Sequence, residues 1–269
     1  NTCLRPHNLG HFTGTGRKST AISGVLQSDR NGDNDDGTSS VSAAKLPAEP
    51  AVFAHLPSVN ELRVAPFMKQ VQYGSEMATA LHELLTSSSA PSSAEEENRR
   101  LMKDLIEAQL SHSDGIRGFM VAYLTGDREN PEGTEETDPE ILIETLRGLL
   151  SNHESSEELV SLMCMNVVMP VAMVTMHKDV TLSASSKQTA IRGTRLLRAV
   201  MSESSSIPKN IDAIFEATKT QSVSSSPSSP LIEYWKDFFV KWGYDERQKQ
   251  DIASSMKELL SCSSQPSQS

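Results

Sequence analysis

Cysteine and aromatic residues are both scarce in this chain of 269 residues. There are three cysteines, Cys3, Cys164 and Cys262, and Phe, Trp and Tyr together make up 5% of the sequence. Three widely spaced cysteines exclude a disulfide framework and a cysteine-based zinc site. Cys164 lies in the most apolar part of the chain, so we expect it to be a buried, reduced thiol.

Lysine and arginine are also few relative to the acidic residues. The chain has 25 Lys and Arg against 35 Asp and Glu, which gives a formal net charge of −10. This balance favours solubility and carries no strong signal for nucleic-acid binding. The hydrophobic content of 37% is low for a globular chain because several tracts are rich in serine. We expect roughly 170 to 200 residues to share a core, which is enough for one ordinary domain.

No segment carries a catalytic or cofactor signature. The run Gly14–Thr20 lacks the glycine spacing of a phosphate-binding loop, and the acids of Asp33–Gly37 lack the closing Glu of a calcium loop. None of the seven histidines has a partner at metal-ligand spacing, and His177 fits a structural place at a helix end. We therefore predict no catalytic residue, cofactor or metal, and we favour a non-enzymatic protein.

The N-terminal segment has the composition of a targeting sequence. Residues 1–28 contain Arg5, Arg17 and Lys18, several Ser and Thr, and no acid. This composition is typical of a plastid or mitochondrial transit peptide, with an ordinary disordered tail as the alternative. We predict that residues 1–50 are disordered. The predicted location is an organelle, a plastid rather than a mitochondrion, with the cytoplasm as the alternative.

The rest of the sequence has helical periodicity and very few alternating runs. Eight or nine helical segments with mostly short connections predict an all-α fold, either an irregular helical bundle or a short stack of helical hairpins. Residues 51–219 would form the main domain, in which Val52–Val71 would be an extended arm. The predicted helix starts are Ser75, Ser93, Ser113 or Asp114, Asp138 with Pro139, Ser155, Gln188 and Pro208.

A Ser/Pro linker, residues 220–230, separates this domain from a predicted C-terminal helical pair, residues 231–262, which packs on it. The first helix of the pair carries an aromatic stripe and ends at Gly243, a residue suited to a left-handed cap. Asp245 and Gln248 have the spacing that caps the second helix. The stripe is expected in the core, although a partner-docking role is the alternative, and residues 263–269 are a polar tail. The stripe consists of Ile232, Trp235, Phe238, Phe239 and Trp242.

Leu159–Met176 is the most unusual segment, with eighteen residues, no charge and five methionines. A helix that is apolar on all sides is either surrounded by protein or crosses a membrane. We favour a core helix, kinked or broken near Asn166 because Pro170 lacks an N–H group. A single membrane span is the alternative. Such a helix could also line a pocket for a ligand or substrate, formed by Met163, Cys164, Asn166 and Met169.

The helix that follows is basic. Val180–Ser202 contains no acid but four cations, Lys187, Arg192, Arg195 and Arg198. We expect the three arginines, spaced three residues apart, to lie along one side of the helix and to bind an acidic protein partner. The alternative is internal pairing with the acids of residues 127–140 or with Glu157 and Glu158.

Three stretches also carry a family resemblance: Gly118–Thr125, Asn166–His177, and Arg192 together with Arg195. Together they resemble an uncharacterised helical family of cyanobacteria and plastids, over about residues 101–201. The resemblance implies a plastid location and brings no activity. The function favoured by the sequence is a non-enzymatic helical interaction or assembly protein of an organelle. The alternatives are an enzyme or small-ligand binder with a pocket between helices, and a single-span membrane protein.

Overall fold

The computed structural model describes residues 53, 55–86, 93–126, 137–152, 156–219 and 229–263. These residues form ten α-helices and no strand, which confirms the predicted all-α class. The predicted disordered segment, most of the predicted linker and nearly all of the predicted tail lie outside this part of the chain.

The helices form an irregular bundle with α6 at its centre. α6 contacts α4, α5, α7, α8 and α10, while α2 packs mainly on α4 and α9 packs on α8. A short 3-10 turn, Met201–Glu203, follows α7. The helices are α1 Val59–Val64, α2 Phe67–Thr86, α3 Ser93–Gln109, α4 Ser113–Thr125, α5 Glu140–Ser151, α6 Ser156–Met176, α7 Val180–Ala199, α8 Ser206–Ala217, α9 Pro230–Trp242 and α10 Glu246–Ser263.

The first two helices correct the predicted extended arm and the predicted helix start at Ser75. α1 begins after Ser58, whose Oγ accepts a hydrogen bond from the Glu61 N–H, while the Glu61 carboxylate accepts one from the Ser58 N–H. This reciprocal capping box fixes the start of a helix that buries only Leu62. Ser75 lies in the interior of α2 and is exposed there.

The first turns of α2 carry no clear helical pattern in the sequence because their contact with α4 is made at glycines and a glutamine. A methyl group on Gly118 would lie 2.5 Å from Cβ of Gln70, and one on Gly74 would lie 2.9 Å from Cα of Phe119. The two backbones therefore approach so closely that only glycine fits. The buried side-chain amide of Gln109 donates to the Gln70 carbonyl at 2.7 Å.

The start of α4 is capped by a histidine. The helix begins at Ser113, one of the two predicted starts, but the capping residue is His112. Its Nδ1 accepts a hydrogen bond from the N–H of Gly115 at 3.3 Å, and its Nε2 lies 3.0 Å from the Leu62 carbonyl oxygen. The imidazole therefore joins the start of α4 to the end of α1.

The apolar segment predicted at Leu159–Met176 is the helix α6, which begins three residues earlier at Ser156. The helix runs through Pro170 without a break, which corrects the predicted break near Asn166, while the predicted kink stays a prediction. Among the described residues, α6 is the one helix that is long and apolar enough to span a membrane. A core helix passes the same test, and five neighbouring helices pack on this one.

α6 and α7 pack closely, and a glycine sets their separation. Pro170 has no N–H, so the Asn166 carbonyl cannot accept the usual helical hydrogen bond from residue 170. That oxygen faces α7 at Gly193, where a methyl group would lie 2.9 Å from it and 3.3 Å from Cγ2 of Val167. The proline of one helix and the glycine of the next thus lie at the same contact.

The aromatic stripe of α9 is mostly buried, as predicted, although Trp242 is half exposed. Trp235 is fully buried, and its indole N–H donates to Oδ1 of Asn210 in α8 at 3.3 Å. α9 ends at Gly243, whose φ of 66° is the left-handed conformation that the sequence predicts there. The helix starts at Pro230, capped by Ser229, so the predicted linker ends before residue 229.

α10 is tied to α6 through its first turn. Asp245 and Gln248 exchange the two hydrogen bonds of the predicted capping pair, at 2.8 and 2.9 Å. The buried Gln248 amide also donates to the Ala172 carbonyl of α6 at 3.1 Å. One glutamine therefore caps α10 and docks it on the central helix.

We predict opposite effects for alanine at two helical glycines. Gly193→Ala should lower the free energy of unfolding by about 1–3 kcal/mol, because the rigid Asn166 carbonyl must move away from the new methyl group. Gly148→Ala in α5 is the matched control. Gly148 is exposed with no neighbouring atom within 4 Å, so alanine there should stabilise by about 0.5–1 kcal/mol.

Urea titration of both variants, followed by circular dichroism at 222 nm, measures the two effects. Equal stabilisation by both substitutions would show that α7 does not approach α6 closely at Gly193.

Candidate functional site

Two concave surfaces lie on either side of the α6–α7 pair. Met169 and Met173 of α6 face a cleft that α4 and α7 complete, which we call the α4–α7 cleft. Val171 and Val174 face a groove that α7 and α10 complete, which we call the α7–α10 groove. α6 meets the core on one side and forms part of two concave surfaces on its other sides. This explains why the helix is apolar around its whole circumference.

The α4–α7 cleft has a volume of about 590 Å³. Along α6 it extends from Asn166 to His177, eleven residues apart, which corresponds to about 16 Å of helix. Its walls are mainly apolar, with two methionines that can adapt to the shape of what they contact. The apolar residues of the walls are Val121, Leu124, Met169, Pro170, Met173 and Leu182.

Arg192 lies at the inner end of this cleft and is only 7% exposed. Its Nη1 donates to the carbonyl oxygens of Leu124 at 3.1 Å and Gly126 at 2.7 Å. These carbonyls end α4, where the helix dipole is negative and backbone acceptors have no helical donor. Arg192 therefore holds the C-terminal end of α4 against α7 and fixes one wall of the cleft.

The outer end of the cleft is the turn between α6 and α7. Asp179 starts α7 by accepting hydrogen bonds from two N–H groups, including that of Leu182 at 3.0 Å. His177 lines the cleft just beyond the end of α6, in agreement with its predicted position at a helix end. Met176, Val180 and Leu182 around this turn are all exposed, so the cleft opens at an apolar rim.

The pocket predicted along α6 exists, but only two of its four predicted residues line it. Asn166 and Met169 face the cleft, and the Asn166 amide donates to the Leu162 carbonyl at 2.8 Å. Met163 and Cys164 instead face the core. The difference arises because the two pairs lie on different sides of the helix, which the uniform apolar composition conceals.

Cys164 is the buried thiol that the sequence predicts. It is free and fully buried, and desolvation raises its pKa to about 12. A thiol in this state carries almost no thiolate at neutral pH and is neither a nucleophile nor a metal ligand. Across the described ranges of the chain, no group of three or more His, Cys, Asp or Glu is placed to hold a metal ion.

The basic residues of α7 do not share one exposed face, which corrects the predicted arrangement of the three arginines. A step of three residues turns the chain by 300°, so Arg192 and Arg198 point 120° apart around the helix. Arg192 reaches α4, whereas Lys187, Arg195 and Arg198 line the α7–α10 groove, which has a volume of about 530 Å³. Arg192 is buried and cannot contribute to a binding surface with the others.

Arg195 is held internally, as the alternative interpretation proposed. Its Nε and Nη2 donate to the two carboxylate oxygens of Asp138, both at 2.8 Å. The Asp138 side chain is 4% exposed and also accepts from the Tyr123 hydroxyl at 2.7 Å. Asp138 therefore does not cap α5 as predicted, and that helix begins at Glu140 with Pro139 in the capping position.

Lys187 and Arg198 remain accessible. Arg198 makes one contact of 3.3 Å with Glu258 of α10, and the two side chains are 43% and 69% exposed. A single exposed contact of this kind contributes little to stability, so it can be exchanged for another anion. Lys187 is exposed. The predicted binding of an acidic partner therefore stays a prediction for these two residues.

The residues of the cleft that sequence reasoning missed include Val121, Met173, Leu182 and Thr189. They come from three helices, and only the way in which the helices pack brings them together. One signal was present in α7, where Val180 and Leu182 place apolar side chains in a turn of otherwise polar residues. Contiguous exposed apolar residues are one mark of a ligand-binding groove.

The comparisons with known proteins identify a family and nothing finer. Residues 74–259 match the family described as uncharacterised conserved protein UCP020893. This match covers more than half of the sequence, so the chain belongs to that family, and both concave surfaces fall within the matched residues. No curated protein and no solved structure matches the chain. The predicted resemblance to an uncharacterised family is thus confirmed. The occurrence of that family in cyanobacteria and plastids stays a prediction.

Proposed function

We propose that this protein is a non-enzymatic helical binding protein whose α4–α7 cleft holds an elongated apolar ligand. The cleft itself is the observation that supports the proposal. Its volume of about 590 Å³ falls within the range of roughly 300–1,000 Å³ that is usual for small-molecule sites. Mainly apolar walls with a few polar groups are the usual construction of such sites.

The shape of the cleft favours a chain-like ligand. Its length of about 16 Å follows the axis of α6, and Met169 and Met173 provide adaptable contacts along the middle. Asn166 lies at the inner end and His177 at the turn between α6 and α7, while α7 provides polar groups along its wall of the cleft, from Ser185, Ser186, Gln188 and Thr189. A chain-like molecule that is mainly apolar and carries some hydrogen-bonding groups matches this lining.

The residues that line the cleft favour binding over catalysis. They include one imidazole, that of His177, but no carboxylate and no thiol. General acid–base chemistry usually depends on a second titratable group within hydrogen-bonding reach. Arg192 is the other ionisable residue in the lining, and its hydrogen bonds to the end of α4 give it a structural role.

A neutral fluorescent probe, N-phenyl-1-naphthylamine, tests the cleft. We expect the protein to bind it with enhanced fluorescence, and Thr189→Trp to weaken binding at least tenfold because the indole fills the cleft. Leu182→Lys should also weaken binding, because it places a charge at the apolar rim. Val240→Lys is the control, since Val240 is also apolar and exposed but lies on α9. Unchanged affinity in both cleft variants would contradict the proposal.

We also propose an organellar location, with a plastid favoured. The support is the composition of residues 1–28, which contain three cations and no acid, together with the predicted plastid range of the family. Incubation of the radiolabelled chain with isolated chloroplasts and, in parallel, mitochondria tests this. We expect a protease-protected product in chloroplasts. Protection in neither organelle would contradict the location without affecting the cleft.

A further inference from the structure

The α7–α10 groove lies on the opposite side of α7 from the cleft and is built differently. Its α7 wall carries two exposed cations, Lys187 and Arg198, spaced eleven residues apart. Eleven residues are slightly more than three helical turns, so both side chains point in nearly the same direction, about 16 Å apart. These are two of the residues from which the sequence predicts binding of a charged partner.

The α10 wall carries the opposite charge. Asp251, Ser255 and Glu258 occupy successive turns on one side of α10 and line the groove. Glu258 faces Arg198 across the groove at 3.3 Å. The groove thus has cations along one edge and carboxylates along the other.

The floor between the charged walls is apolar. Val171 and Val174 of α6 lie at its base, and Ile191 of α7 is 47% exposed within it. An isoleucine so exposed on the face between two cations has no evident role within the domain. Apolar surface framed by charge is a common mark of a protein–protein contact.

We propose that the α7–α10 groove binds an amphipathic helix of a partner protein. Its apolar stripe would lie on Val171, Val174 and Ile191, with acids on the flank that faces α7 and bases on the flank that faces α10. Charge complementarity identifies this occupant, because the cations of the α7 wall span about 16 Å and the carboxylates of the α10 wall span about 10 Å. These lengths match about two to three turns of the bound helix.

The existing contacts leave the charged walls free to engage such a partner. The Arg198–Glu258 pair is a single contact between two well-exposed side chains, and its loss costs little. Arg195, by contrast, is fixed by Asp138 and serves to hold α7 in place beneath the groove. The carboxylates of Asp251 and Glu258 disfavour an anionic lipid surface as the occupant. This inference is independent of the ligand proposed for the α4–α7 cleft.

Two fluorescein-labelled model helices test the proposal by fluorescence anisotropy with the full chain. Both carry the same leucine stripe; one has Glu along one flank and Lys along the other, and the second has Gln on both flanks. We expect the charged peptide to bind at least tenfold more tightly at low salt, with the difference shrinking as salt screens the charges. Equal binding of the two peptides, or no binding of either, would overturn the proposal.

A charge-reversal variant locates the binding. Lys187→Glu with Arg198→Glu should reduce the affinity for the charged peptide to that for the Gln peptide. Arg100→Glu with Lys241→Glu makes the same change in net charge at exposed positions on other helices and should have no effect. Equal loss of affinity for the charged peptide in both double variants would indicate non-specific electrostatic attraction rather than binding in the groove. Capture of the protein by phosphatidylglycerol vesicles that depends on Lys187 and Arg198 would instead identify a lipid surface.

Discussion

The close contact between α6 and α7 is the constraint on which the rest of the structure depends. Pro170 removes the helical donor for the Asn166 carbonyl, and Gly193 provides the space in which that oxygen meets the neighbouring helix. Both concave surfaces lie on the flanks of this pair. The separation and rotation of the two helices therefore set the width of the cleft, the width of the groove and the side on which each basic residue emerges.

The same arrangement explains why α6 carries no charge over eighteen residues. A core helix needs an apolar stripe, and charged residues on its other side would normally face water. Here the other sides meet α7 and α10 or line concave surfaces, so apolar side chains are accommodated around the whole helix. The five methionines fit this role because a flexible thioether can pack in the core or at an adaptable surface.

The features that could be predicted are those encoded within a few residues of sequence. The Gly243 cap, the Asp245–Gln248 capping pair and the burial of Cys164 all follow from local chemistry. Only the part of α2 from Ser75 onward could be predicted, because the preceding part meets α4 around Gly74 and Gly118, which leave no hydrophobic signal. How closely two helix backbones approach each other depends on both helices, so it cannot be predicted from the sequence of one segment.

The candidate sites were predictable only in part, for a related reason. The sequence identified Asn166, Met169 and the cations of α7 as residues of interest. It did not show which neighbour each would meet, since helical rotation places Arg192 against α4 and Arg198 towards α10. Asp138 likewise precedes a proline as a cap would, yet its partners Arg195 and Tyr123 come from two other helices, α7 and α4.

A double-mutant cycle between Pro170→Ala and Gly193→Ala tests this account most directly. Alanine at residue 170 supplies the N–H that draws the Asn166 carbonyl back into α6, away from the methyl group at residue 193. The double variant should therefore be more stable than the sum of the single effects predicts, by about 0.5–3 kcal/mol of coupling free energy in urea unfolding. Additive effects, within about 0.5 kcal/mol, would contradict a shared contact between the proline and the glycine.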